Sequence, residues 1–252
     1  MKRKRFKPVQ WFKAIPHRRY LGLLAVGFGL IWVLLGIAPR DRGTWVLENA
    51  PAMLFVVVVA IFHRRLLLSR VSYTLIFLFL VFHEIGAHFT YARVPYDELF
   101  RRWFSSGFNV LMGWERNNYD RVIHFLYGLL LAYPVREIFL RVANARGFWG
   151  YFLPLDLTMS TSMLFELLEW ATAVVFGDGA SDYLGTQGDP WDAHKDMALA
   201  SLGALLAMTV TVLINWHFQR DFTREWVESL RVKHPKPLGE EAVARMLAQQ
   251  SK

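Results

Sequence analysis

The sequence predicts an all-α, polytopic integral membrane protein whose chain crosses the bilayer six times, and its composition supports that class. The 252-residue chain is 54% hydrophobic and has a mean hydropathy of +0.23. It contains apolar runs of about 20 residues, the length that a helix needs to cross a bilayer. It has no cysteine. Disulfide bonds and thiolate ligands are therefore excluded, and a bound metal would have to use carboxylate, imidazole or water ligands.

Six apolar segments are predicted to form the membrane helices. In chain order they cover residues 20–38, 46–62, 71–91, 119–140, 149–176 and 191–217. Pro51 lies near the start of the second segment and Pro154 in the opening turns of the fifth, where proline is tolerated. Six crossings place both ends of the chain on one side of the membrane.

Lysine and arginine residues predict the orientation. Of the 29 in the chain, 21 lie in four segments, 1–19, 63–70, 136–148 and the tail from residue 218. Such residues concentrate in cytoplasmic loops, so both termini are predicted to be cytoplasmic. The chain then divides into a basic N-terminal segment (1–19), a six-helix membrane domain (20–217) and a cytoplasmic tail (218–252). The formal net charge of +8 reflects this topology, and no nucleic-acid partner is expected.

Two regions outside the spans are expected to form further helices. The loop 92–118 carries aromatic and basic stretches, which favour the headgroup boundary, so an amphipathic segment is expected on the outer surface. In the tail, 218–232 is predicted to form an amphipathic helix and 239–250 a short, solvated helix.

Four pairs of ionisable residues interrupt the last four predicted spans. Within each pair the spacing is three or four residues, which places both side chains on one helical face. The pairs are Glu84 with His88, Asp120 with His124, Glu166 with Glu169, and Asp192 with Asp196. Ionisable groups are costly in hydrocarbon, so eight of them in one small chain indicate a buried polar site.

The predicted topology places the four pairs at one level. The third and fifth helices run outward and the fourth and sixth run inward, so the C-terminal halves of the first two meet the N-terminal halves of the others. At about 1.5 Å per residue, most of the eight side chains lie in the outer part of the membrane. We therefore expect one pocket that opens outward, and the loop 177–190, which has three aspartates and no basic residue, could cap a cation there.

A simpler interpretation is that these side chains only join helices by hydrogen bonds, and Asp120 could merely cap its helix. Several carboxylates in a low-dielectric space must, however, protonate, pair or bind a cation. Basic partners are scarce. Arg121 is expected to point about 100 degrees away from Asp120, and Lys195 can neutralise one acid at most. A divalent metal ion therefore fits better.

Zinc, manganese or iron would suit the mixture of carboxylates and imidazoles. The predicted roles divide the eight residues into three groups. His88, His124, Asp192 and Asp196 would bind the ion directly, Glu84 and Asp120 would bridge or orient, and Glu166 or Glu169 would act as the general base. His83 and His194 rank below His88 and His124, because His83 is expected to face lipid or a neighbour and His194 to point away from Asp192.

Three sequence stretches give the chain a family resemblance. They are NYDRVIHF (118–125), FELLEW (165–170) and GTQGDPWDAHKDM (185–197). These motifs resemble the YjdF-like bacterial inner-membrane proteins over nearly the whole chain, and that family has no assigned function. The resemblance implies a multi-pass protein of the bacterial inner membrane. His194 stands where the family pattern would have glutamine. A weaker similarity, to the VanZ-like membrane proteins linked to glycopeptide resistance, implies action at the outer leaflet or cell wall.

Three functions fit these features. The first is a metal-dependent membrane hydrolase that cleaves a phosphoester or acyl bond of a lipid or lipid-linked substrate, with a redox-active di-metal centre as a variant. The second is a cation or proton transporter, although the sequence shows no internal repeat and no second acidic layer toward the cytoplasm. The third is a non-catalytic membrane module that a metal braces. No nucleophile motif or nucleotide fingerprint occurs, so hydrolysis is preferred partly by elimination.

Overall fold

The structure is a computed structural model that describes residues 15–176, 188–233 and 237–250. Within these ranges the chain forms helices and connecting turns without any strand, which confirms the all-α class. The helices are α1 (His17–Gly36), α2 (Arg42–Leu66), α3 (Arg70–Phe89), α4 (Tyr96–Arg101), α5 (Phe108–Met112), α6 (Tyr119–Val142), α7 (Trp149–Phe176), α8 (Asp192–Phe218), α9 (Phe222–Ser229) and α10 (Leu238–Gln250), with a 3₁₀ turn at Tyr91–Arg93.

Five of the described helices are long and apolar enough to cross a membrane, namely α1, α2, α3, α6 and α8. The helix α7 is the predicted fifth span, and it forms with the predicted bounds over 28 residues, but it is not one of those five. The protein is therefore a multi-pass membrane protein with at least five candidate spans. The count of six and the cytoplasmic position of the two ends stay predictions.

Helix α2 begins four residues earlier than the sequence predicted, because Asp41 caps it. The Asp41 carboxylate accepts the backbone N–H of Thr44 at 2.7 Å, which satisfies one of the N–H groups that a helix start leaves unpaired. The added turn places Glu48 within the helix, where it is 3% exposed. The prediction that began this span at residue 46 left Glu48 at the boundary.

The centre of the bundle is the contact between α6 and α8, which run parallel. A Cβ atom added to Gly128 would lie 1.9 Å from the Ala200 carbonyl oxygen, and one added to Gly203 would lie 2.1 Å from the Phe125 carbonyl oxygen. The two backbones therefore approach as closely as glycine allows, an arrangement typical of membrane helices. This contact fixes the level of α6 relative to α8.

The helices α3 and α7 pack on α6 and run antiparallel to it. The Tyr119 hydroxyl donates to the Phe82 carbonyl oxygen at 2.8 Å, and the Tyr127 hydroxyl lies 2.5 Å from the Thr161 hydroxyl. The C-terminal ends of α3 and α7 consequently meet the N-terminal ends of α6 and α8, as the predicted topology requires. We call this the acidic end of the bundle.

The helix predicted at the start of the tail forms over Phe222–Ser229 and packs against the bundle. The Ser229 hydroxyl on α9 accepts the N–H of Phe148 at 2.9 Å, and Glu225 accepts the N–H of Gly147 at 3.1 Å. The ring of Trp226 packs at 5.7 Å from the ring of Tyr151. Helix α9 therefore covers the start of α7, because its apolar side, with the partly buried rings of Phe222 and Trp226, packs against α7 and α8.

The loop expected on the outer headgroups folds into the short helices α4 and α5. Their aromatic rings pack on one another, with Phe100 at 4.3 Å from Phe104 and at 5.3 Å from Phe108. On the outside of this group Trp103 is 85% exposed. Exposed tryptophan beside arginine agrees with the predicted position at the membrane boundary.

Candidate metal centre

Five of the eight predicted site residues meet at the acidic end of the bundle. They form two overlapping groups in which one possible ligand atom from each residue lies within 4.8 Å of the others. The first group is His124, Glu166 and Asp196, and the second is Asp120, Asp192 and Asp196. Because Asp196 belongs to both groups, we call the five residues the Asp196 cluster.

Three helices supply these side chains through the contacts already described. The parallel packing of α6 on α8 places Asp120 and His124 beside Asp192 and Asp196. The antiparallel α7 then brings Glu166 against α6, so that Glu166 Oε1 lies 3.4 Å from His124 Nε2. The i, i+4 spacing within α6 and within α8 thus puts four donors on two facing helical surfaces.

Two carboxylates of the cluster are buried with an unsatisfied oxygen. Glu166 is 9% exposed and Asp196 is 4% exposed. Among the described residues, Glu166 Oε1 and Asp196 Oδ1 have no hydrogen-bond partner. Leaving a buried polar atom unpaired costs about 1–3 kcal/mol, and more if it is charged. A cation or a proton in this space would remove that cost, so the residues present fit a bound divalent metal.

Positive charge is more abundant here than the sequence indicated. Arg116 lies 2.5 Å from Asp192 and 3.3 Å from Asp120. Arg121 lies 3.1 Å from Asp192 and 2.5 Å from Asp189. The expectation that the acids have few basic partners is wrong, because the long side chain of Arg121 reaches Asp192 on α8 although it starts on a different side of α6 from Asp120. The two arginines neutralise the outer side of the cluster.

Asp189 links the basic side chains on the outer side of the cluster, since it contacts both Arg121 and Lys195. Its carboxylate accepts from Lys195 Nζ at 2.5 Å and from the backbone N–H of Trp191 at 3.0 Å. The hydrogen bond from Lys195, the one from Trp191 and that from Arg121 hold the pKa of Asp189 well below its usual range. Of the three aspartates in the loop that was expected to cap a cation, Asp189 instead binds basic side chains. The other two lie outside the described residues.

The remaining predicted residues are placed elsewhere. His88 Nδ1 lies 2.7 Å from the carbonyl oxygen of Leu35 on α1, which turns the ring away from the Asp196 cluster. Glu84 is fully buried, and within the described ranges neither of its carboxylate oxygens has a hydrogen-bond partner, but it belongs to neither triad. Glu169 lines the cavity beside Asp196, where it lies close enough to Glu166 and Asp196 for their charges to interact. The i, i+4 pairing of Glu84 with His88 therefore does not bring both residues to the cluster.

A second polar group, absent from the sequence prediction, lies beside the cluster. His83 is 6% exposed, and its Nδ1 lies 2.5 Å from the hydroxyl of Tyr91. His83 was expected to face either lipid or a neighbouring side chain. It does not face lipid, because Tyr91 folds back over α3 and covers it. Gly86 makes that possible, since a Cβ atom there would lie 2.6 Å from the Tyr91 ring. Burial, and then the nearby carboxyl of Glu48, raise the pKa of Tyr91 well above its usual value.

A cavity of about 580 Å³ joins the two polar groups. Its walls come from α2, α3, α6 and α7. Among the described residues, the polar lining at the acidic end includes Thr44, Glu48, His83, Tyr91, Asp120, His124, Glu169 and Asp196, and most of the other lining side chains are apolar. The volume lies within the range of about 300–1,000 Å³ that is typical of small-molecule sites. The Asp196 cluster is therefore open to a ligand within the bundle.

Comparisons with known proteins agree with the resemblance read from the sequence motifs. Residues 20–217 match the family described as "Predicted membrane protein (DUF2238)". The chain is 38% identical over 198 residues to the inner membrane protein YjdF of Escherichia coli strain K12, and the match covers 78% of this chain and 90% of that protein. No solved structure matches. The resemblance to YjdF-like proteins and the inner-membrane location are confirmed.

Proposed function

This chain belongs to the DUF2238 family of membrane proteins, and we propose that the Asp196 cluster binds a divalent metal ion used to hydrolyse a lipid or lipid-linked substrate. One observation carries the proposal. Asp196 is shared by two triads, and within each triad the possible ligand atoms lie within 4.8 Å of one another. One of its buried oxygens has no hydrogen-bond partner in the part of the chain that the structure describes. Such an arrangement suits a cation held between α6, α7 and α8.

The five residues divide by their surroundings. His124, Glu166 and Asp196 are the proposed ligands, since their possible ligand atoms lie within 4.8 Å of one another and two of their oxygens accept no hydrogen bond from the described residues. Asp120 and Asp192 complete the second triad, but both contact Arg116. These two aspartates either bind the ion as further ligands or contribute negative charge next to it without binding it. One imidazole and several carboxylates form a donor set for zinc, manganese or iron.

The proposed chemistry is hydrolysis at the acidic end of the cavity. A divalent ion would supply Lewis-acid activation of water and of the bond to be cleaved. Glu169 lines the cavity beside Asp196 and is the proposed general base, which accepts the proton of the attacking water. Arg116 and Arg121 hold Asp192 from the outer side. The apolar remainder of the cavity favours a substrate that carries a hydrocarbon chain.

Metal analysis of the purified protein and of four variants tests the binding step. His124→Ala and Asp196→Asn should lose the ion, because each removes a proposed ligand. His88→Ala and Asp156→Asn are the matched controls, and both should keep it. His88 is turned toward α1, and Asp156 is exposed on α7. Loss of the ion in His88→Ala, or the same metal content in all four variants, would contradict the Asp196 cluster as the site.

A turnover screen tests the reaction. The metal-loaded protein is incubated with phospholipids and with undecaprenyl phosphate, and products are measured by mass spectrometry. The wild type should release product with one of these classes, and Glu169→Gln should lose most of that activity while it keeps the metal. A screen that shows no product with any of the three proposed ions would contradict hydrolysis.

A further inference from the structure

The cavity is a long groove. Its lining residues run from Thr44 to Leu66 on α2 and from Asp120 to Ile138 on α6. At 1.5 Å per residue these stretches extend over about 33 Å and about 27 Å. The hydrocarbon core of a bilayer is about 30 Å thick. The groove is therefore about as long as the apolar layer in which the helices lie.

The groove opens sideways between α2 and α7. Its lining includes Leu54 and Val58 on α2, which are 66% and 43% exposed, and Leu157 and Leu164 on α7, which are 41% and 53% exposed. The same side chains thus wall the groove and reach the outer surface of the bundle. In a membrane protein that surface faces acyl chains.

The floor of the groove is apolar and buried. Ile76 and Leu80 on α3 and Leu131 on α6 line it, and they are 6%, 5% and 7% exposed. The acidic end, in contrast, presents Asp120, His124 and Asp196. A ligand that fits both parts has a long apolar chain and a polar head, which is the chemistry of a membrane lipid.

We propose that the groove binds one hydrocarbon chain of a membrane lipid, which enters sideways between α2 and α7 and places its headgroup at the Asp196 cluster. The substrate therefore reaches the site from within the bilayer and does not have to leave it. The position of the headgroup rests on the proposed function, since the bond to be cleaved must lie beside the ion. The binding of the chain rests on the shape and apolar lining of the groove.

Photo-crosslinking tests whether a chain occupies the groove. The purified protein is reconstituted in vesicles of phosphatidylethanolamine and phosphatidylglycerol that contain a trace of phosphatidylglycerol with a diazirine on one acyl chain. Adducts on Ile76, Leu80 and Leu131 are the expected result. These side chains are buried beneath the groove, so lipid that merely surrounds the protein does not reach them. Adducts that occur only on outward-facing side chains would overturn the proposal.

Four tryptophan variants test the route. Val58→Trp and Leu164→Trp place a large ring on the groove wall, and labelling of the floor should be lost. Val57→Trp and Leu168→Trp are the matched controls on the same helices. Val57 and Leu168 are 51% and 52% exposed and do not belong to the lining, so floor labelling should stay at the wild-type level. Equal floor labelling in all four variants would contradict access between α2 and α7.

The Asp196→Asn variant separates this proposal from the proposed function. It should lose the metal and keep the labelling of the floor, because the chain-binding part of the groove is built from other residues. If the wild type contained no metal but its floor residues were labelled, the metal site would be refuted and the proposal that the groove binds a lipid chain would be supported. If the wild type bound metal but its floor residues were not labelled, the proposal that the groove binds a lipid chain would be refuted and the metal site would be supported.

Discussion

At the scale of single residues, the partners of each carboxylate decide which of them need a cation. The carboxylate of Asp192 lies 2.5 Å from a guanidinium nitrogen of Arg116 and 3.1 Å from one of Arg121. The negative charge of Asp192 is therefore balanced by these two arginines. Asp196, four residues later on α8, has a buried oxygen that accepts no hydrogen bond from any described residue. Two aspartates on one helical face therefore differ in role, because only one of them lies within reach of the arginines at the start of α6.

The long arginine side chains also mark the limit of prediction from the sequence. An angle on a helical wheel gives the direction of Cβ, and for Arg121 that direction is away from Asp120. The guanidinium lies several bonds further out and reaches α8. Arg116 precedes α6 in a loop, where no periodicity predicts its direction. The i, i+4 spacing succeeded for Asp120 with His124, since both of those side chains are short.

Asp97 gives a prediction about pH. Its carboxylate accepts the backbone N–H of Asn109 at 2.7 Å and a guanidinium N–H of Arg101 at 2.6 Å, which joins α4 to α5. The hydrogen bond from Asn109 is the main cause that lowers the pKa of Asp97 below its ordinary value of 3.8. The folded loop favours the charged form. The stability that it contributes is therefore present above pH 3.8 and is lost as the pH falls through the lowered value.

Asp97→Ala should accordingly make the loop more sensitive to protease at pH 7, with a smaller difference from the wild type at pH 3. Cleavage by a protease active at both pH values measures this. Glu98→Ala is the control, since Glu98 is the exposed neighbour on the same helix and should behave as the wild type. A difference between Asp97→Ala and the wild type that is equally large at both pH values would show that the charge is not responsible.

At the scale of the helices, the length of each apolar run predicted the bounds of α7 well. The predicted start of α2 was wrong because a capping residue outside the apolar run sets it. The predicted bounds of α7 agree at both ends, because Pro154 fits an opening turn and the apolar run is long. The start of α2 was missed because Asp41 lies outside the apolar run, although an aspartate three residues before a threonine is a possible cap. Glu48, a buried acid at the end of the groove, lies inside the predicted span but was not predicted as a site residue, because no acid or histidine stands three or four residues from it.

The contact between α6 and α8 can be tested at its two glycines. In Gly128→Ala and Gly203→Ala the added methyl group would meet backbone atoms of the facing helix at 1.9 Å and 2.1 Å. The helices must move apart, and overpacking of this kind typically costs about 1–3 kcal/mol. Thermal unfolding should occur at a lower temperature, and metal affinity should fall because Asp196 moves relative to His124.

Gly22→Ala is the control for this pair of substitutions. A Cβ atom at Gly22 on α1 would have no neighbour within 4 Å among the residues that the structure describes. The melting temperature should therefore be unchanged or slightly raised, since alanine has a higher helix propensity than glycine. If Gly128→Ala were as stable as Gly22→Ala and bound metal with the wild-type affinity, close packing of α6 on α8 would not be what assembles the site.

At the scale of the whole molecule, the Asp196 cluster and the two basic turns between helices lie at opposite ends of the bundle. The Asp196 cluster lies where α3 and α7 end and where α6 and α8 begin. The basic turns 63–70 and 136–148 lie at the other end of the same helices. At that basic end Glu137 accepts the N–H of Ser69 with both oxygens, at 2.8 and 2.9 Å, and so joins the end of α6 to the start of α3. Because lysine and arginine concentrate in cytoplasmic loops, this arrangement favours an acidic end that faces away from the cytoplasm.

Reporter fusions test this orientation in cells. Green fluorescent protein fused after Lys252 should fluoresce and alkaline phosphatase at the same place should be inactive, since the C-terminus is predicted to be cytoplasmic. Alkaline phosphatase inserted after Trp103, which is 85% exposed in the loop at the acidic end, should be active. Phosphatase activity of the fusion after Lys252 would show that the orientation is the opposite of the predicted one. The residues that form the cluster and the groove would be unaffected, but the headgroups within reach would then be those of the inner leaflet, and a role at the cell wall would be excluded.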